Sequence, residues 1–136
     1  MKRALFPLIA AFIGLGALSA TADPVMRSGS APQSALSLTN TLVQVGTTAP
    51  HEATLLYCYN PGASAAFVQV FDAASGAVTL GSTAPLQSFG IAAGQSGGFA
   101  LTNGLHFYNA FTLAASATYN GSGAPSSALI CNTAIN

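Results

Sequence analysis

From Ala35 to the C-terminus, apolar residues alternate with polar or small ones, and Gly, Pro or Asn breaks the alternation every few positions. The stretch "YCYNPGASAAFVQVFDAASGAVTL", Tyr57 to Leu80, shows the pattern: a strand-like run, a stop at Asn60-Pro61-Gly62, and a second strand-like run. Proline sets φ and glycine accepts the positive φ of a tight turn, so this triplet ends one strand and redirects the chain. A helix needs an apolar stripe at a period of 3.6 sustained over about 11 residues or more. No segment beyond the N-terminal apolar run has one, and glycine and proline recur too often for a long helix.

Read this way, the chain is all-β. "ALSLTNTLVQVG" makes one or two strands broken near Thr39–Thr41, "TTAPHE" is a connection holding Glu52, and "ATLLYCYN" is a strand. In "SAAFVQVFDA", Phe67, Gln69 and Phe71 share one face, and Val68 and Val70 the other. "DAASGAVTLG" turns at Ala-Ser-Gly and returns through Val78–Leu80 as a hairpin partner. A short strand follows around Leu86–Ile91, and Asn103-Gly104 is the strongest hairpin signal in the chain. "NGSGAPS" reads as a flexible turn, which also accounts for Asn120 within an Asn-Gly-Ser acceptor pattern, and "SALICNTAI" closes the domain. Roughly seven to nine short strands predict an antiparallel β-sandwich, jelly-roll or Ig-like.

The N-terminus has the pattern of an export signal: Lys2 and Arg3, the apolar run "ALFPLIAAFIGLGALSA", then small residues at Ala20 and Ala22. The expected organisation is a signal peptide over 1–22, a leader over 23–34 and the sandwich over 35–136, with a periplasmic, extracellular or surface destination. An oxidising compartment favours a disulfide between the two cysteines, Cys58 and Cys131. Their same-face neighbours Leu56 and Leu129 are apolar, which predicts a buried bridge between strands, stabilising by roughly 4 kcal/mol in the chain-entropy model.

Beyond the signal the chain keeps one base, Arg27, against Asp23, Glu52 and Asp72, a net charge of −2 (one base, three acids), and no lysine. Counterion release from phosphates needs several Lys or Arg, so nucleic acid is not an expected partner, nor are anionic lipid headgroups. The polar surface must come from Ser, Thr, Asn, Gln and Gly, which gives little repulsion between copies.

Titratable chemistry is sparse. Glycosidase chemistry needs two facing carboxylates, but Asp23 is near the cleaved end and Asp72 sits where a strand enters a turn, a position where aspartate bonds its own backbone. His51, Glu52, His106 and Asp72 show no metal-ligand spacing, and the serines lack a GxSxG elbow. No catalytic residue, metal or cofactor is expected. Tyr57 and Tyr59 share a face, and Tyr108 precedes Asn109; these four are the candidate ligand-binding residues, with the aromatic and amide chemistry of a glycan or adhesin-like surface.

Several motifs resemble small β-rich proteins encoded among phage and prophage structural genes. They are "FVQVFD" (Phe67 to Asp72), Val78 to Pro85, "AGQ" (Ala93 to Gln95), Leu113 to Thr118 and "GSGAP" (Gly121 to Pro125). The resemblance implies a small sandwich used as an assembly part or surface appendage, and the export signal implies a relative working outside the inner membrane. The functional expectation is an exported, non-enzymatic structural protein that binds a protein partner or self-assembles. The alternative is a carbohydrate-binding module.

Overall fold

The computed structural model describes residues 31–45 and 51–136; the signal expected at 1–22 lies outside them. Eight strands form: β1 (Ala31–Leu38), β2 (Val43–Val45), β3 (His51–Tyr59), β4 (Ala66–Asp72), β5 (Gln87–Ile91), β6 (Ser96–Phe107), β7 (Phe111–Ser116) and β8 (Leu129–Ile135). They make two four-stranded antiparallel sheets ordered β1-β8-β3-β6 and β2-β7-β4-β5. First pairs with last, β2 with β7, β3 with β6 and β4 with β5. That nesting is one long antiparallel hairpin rolled up, which makes the sandwich a jelly roll and not an Ig-like fold.

The core lies between the sheets. Leu56, Cys58, Phe107, Leu129 and Cys131 from the first sheet meet Val45, Val68, Val70, Phe111 and Leu113 from the second, all nearly or fully buried. Alternation alone delivers these residues inward, because side chains at i and i+2 share a face.

Four expectations are corrected. β1 starts at Ala31, inside the stretch read as a leader, because Ala31, Pro32 and Gln33 pair with Ile135, Ala134 and Thr133. Glu52 belongs to β3, not to a connection, and stands opposite His106. Val78–Leu80 is not a hairpin partner: a short 3-10 turn spans Ser75–Ala77, and the strand beside β4 is β5. Val78 is used instead to pack with Phe71 and Ala114 over the outside of the sheet. Asn103-Gly104 does not separate two strands. β6 runs on through it, with Ala100 opposite Leu55 and Leu105 opposite Ala53, so residues 101–104 bulge from one continuous pairing with β3. Gly104 supplies the positive φ (67°) that the sequence signal reflects.

Candidate functional site

The two outer faces of the sandwich are treated differently. On the second sheet the outer face is covered by the chain's own loops. Phe71 is buried with Val78 and Ala114, against Leu42, Ala73 and Leu80. Gln69, fully buried, donates from Nε2 to Ser116 Oγ (2.8 Å) and to the Gly121 carbonyl (2.7 Å), and Tyr119 meets Phe67 edge-on. The "NGSGAPS" stretch is therefore laid against β4 and β7. Asn120 occupies the positive-φ position (55°) its turn reading requires.

Among the described residues the first sheet has no such cover over its centre. One register row runs Ser37, Ile130, Tyr59, Ser96 and the next runs Asn132, Tyr57, Gly98. Tyr57, Tyr59 and Ile130 are 51%, 42% and 51% exposed, side by side on neighbouring strands. Gly98 lies against Tyr57 so closely that a Cβ there would collide with the Leu56 carbonyl oxygen and come within 2.7 Å of Tyr57 Cα. Tyr57 consequently has a bare flank toward β6. Sequence alternation identified the two tyrosines; Ile130 joins them only through the β3–β8 pairing.

Tyr108 and Asn109 lie at the opposite end of β3 from Tyr59, in the turn that carries the chain from β6 in one sheet to β7 in the other. The two tyrosine candidates are thus separate sites. The turn is held by Asp72. Its Oδ1 accepts from the backbone N–H of Tyr108 (3.0 Å), Asn109 (2.8 Å) and Ala110 (3.4 Å), and Asn109 Nδ2 donates to the Asp72 carbonyl (3.3 Å). Asp72 does not bond its own turn backbone, as its sequence position suggests. Its register partner on β7 is Phe111, which places the carboxylate beneath the incoming turn. Phe107 and Phe111, flanking the turn, stack 4.5 Å apart in the core. Asp72, Ala73, Ala74, Ala77, Tyr108 and Asn109 line an open depression of about 570 Å³. Sequence reading separated Asp72 from this pair because the contact spans 36 residues of chain.

Cys58 and Cys131 form the expected disulfide, with both residues fully buried. They are direct register partners on β3 and β8, with Cα atoms 4.0 Å apart, so the bridge staples two neighbours of one sheet and does not link the two sheets. Such bonds persist in oxidising compartments. Among the described residues no three of His, Cys, Asp and Glu gather as metal ligands, and no helix is long and apolar enough to cross a membrane. Glu52 and His106 face each other across β3 and β6, while Asp72 is engaged in the other sheet. Against protein-family models, curated proteins and solved structures, the chain finds no match.

Proposed function

We propose that this chain is an exported, non-enzymatic jelly roll that acts by contact, as a structural or protein-interaction component of the cell envelope, the cell surface or a phage-like assembly. The observation that carries this reading is the inequality of the two outer faces: one is covered by the chain's own loops, the other presents Tyr57, Tyr59 and Ile130 to solvent. Aromatic residues on an otherwise uncharged patch are the composition of a contact surface.

The strand edges serve less well. β1, β2, β5 and β6 contain no Lys, Arg, Asp or Glu. They are blunted by other means: β2 and β5 are short, β1 is bent at Ala35 (φ 55°), and β6 bulges at residues 101–104. Contact is therefore assigned to the face. Viral capsid and lectin domains share this architecture, a fold-level analogy that agrees with the reading without carrying it. The non-enzymatic part is supported by the occupation of the reactive groups: Cys58 is in a disulfide and Asp72 Oδ1 is a turn acceptor.

The test is light scattering on the mature, disulfide-bonded chain over a wide concentration range, beside affinity capture from the exported fraction. Concentration-dependent self-association, or one retained protein partner, is expected for the native chain and is lost in Tyr57→Ser/Tyr59→Ser with circular dichroism unchanged. A native chain that stays monomeric and retains nothing overturns the proposal.

A further inference from the structure

We propose that the depression between the β4–β5 loop and the β6–β7 turn binds a neutral saccharide, at a site separate from the contact face. Three observations converge there. Tyr108 is 77% exposed, more than any other tyrosine, yet its backbone N–H is fixed to Asp72 Oδ1. With the backbone already pinned, only the side chain is left to order when a ligand stacks on the exposed ring, and the electron-rich ring face attracts the polarised C–H groups of a pyranose.

The second observation concerns the polar atoms. Among the described residues Asp72 Oδ2 and Asn109 Oδ1 have no protein donor, because Oδ1 of the aspartate holds the turn and Nδ2 of the asparagine is turned to the Asp72 carbonyl. Both free atoms are acceptors on braced side chains, so the ligand must bring donors. Third, the small apolar residues Ala73, Ala74 and Ala77 complete the lining. A ligand with an apolar C–H face and several hydroxyl donors matches all three features. An alkylammonium matches fewer: it brings no array of hydroxyl donors for the two acceptors, and no second carboxylate lines the depression. The volume, about 570 Å³, falls in the range of small-ligand sites.

The experiment is an amide-resolved NMR titration of the mature, oxidised chain with glucose, galactose, mannose, N-acetylglucosamine and their disaccharides. Butylamine serves as the amine control. At least one sugar is expected to shift the amides of Tyr108, Asn109 and residues 73–77. Tyr108→Ala weakens that binding by about tenfold or more, while Tyr108→Trp retains it. Tyr57→Ser/Tyr59→Ser leaves it unchanged, which separates this site from the contact face whatever the fate of the association experiment. Asn109→Ala weakens binding as well, a second variant that keeps the test open if one substitution disturbs the turn. No response to any sugar, an unaltered response in Tyr108→Ala, or a response to butylamine alone overturns the proposal.

Discussion

Two residues show how a single polar side chain can hold two distant segments. Asn60 is fully buried: its Oδ1 accepts from the Gly62 N–H (2.9 Å), and its Nδ2 reaches the carbonyls of Ser64 (2.9 Å) and Ile91 (3.0 Å). The first contact is a local turn bond that sequence suggests; the bond to Ile91 ties the β3–β4 loop to the strand end across the sandwich. Asp72 does the same for the β6–β7 turn. Asp72→Ala leaves three backbone N–H groups to be satisfied by solvent, and is expected to lower stability by about 1–3 kcal/mol. Asp72→Asn keeps a neutral acceptor and should cost less. Urea midpoints for the two variants give the order; equal midpoints for Asp72→Ala and the native chain would deny the carboxylate its clasp role.

Among the elements, β6 departs furthest from its sequence reading. Asn-Gly is the strongest short hairpin signal because glycine supplies the positive φ a two-residue turn demands. The same φ also serves a bulge, and only the partner strand distinguishes the two. Here β3 pairs on both sides of the excursion, so the signal marks a bulge. Gly98, earlier on β6, has a different reason to be glycine: the colliding atoms would be backbone of β3, which cannot rotate away. Gly98→Ala is expected to lower stability by about 3 kcal/mol or more, or to prevent folding. Gly76→Ala, where a Cβ meets nothing within 4 Å, should change it by no more than about 0.5 kcal/mol. Chemical denaturation of the pair checks the contrast, and a mild Gly98→Ala would mean that β6 can move away from β3.

For the whole molecule, the disulfide matters more to the unfolded chain than to the packing. It joins strands that are already in register, 73 residues apart in sequence, so its main effect is to remove freedom from the denatured ensemble. Cys58→Ala/Cys131→Ala is therefore expected to keep its far-ultraviolet β spectrum and lose about 2–5 kcal/mol of stability. A guanidinium midpoint equal to that of the oxidised native chain would contradict this, and so would loss of the β spectrum itself. Among the described residues the two outer faces also differ, one covered by loops and the other open, and the contact reading rests on that asymmetry.

Sequence alone determined what short-range physics controls. Period two and frequent turn residues made the chain all-β, alternation sorted residues onto shared faces, and the expectation of export, with two cysteines beside Leu56 and Leu129, pointed to the disulfide. It also isolated Tyr57, Tyr59, Tyr108 and Asn109 as the residues to watch. Tertiary structure alone decided which strand lies beside which, because backbone pairing is blind to sequence distance and alternation fixes the face a residue takes but not the neighbouring strand it meets. Hence the jelly-roll order, the bulge at residues 101–104, the meeting of Ile130 with Tyr59 and the seating of Asp72 under the Tyr108–Asn109 turn were not legible in the residues themselves. Each depends on contacts between segments far apart in the chain, and the same contacts shape both proposed sites.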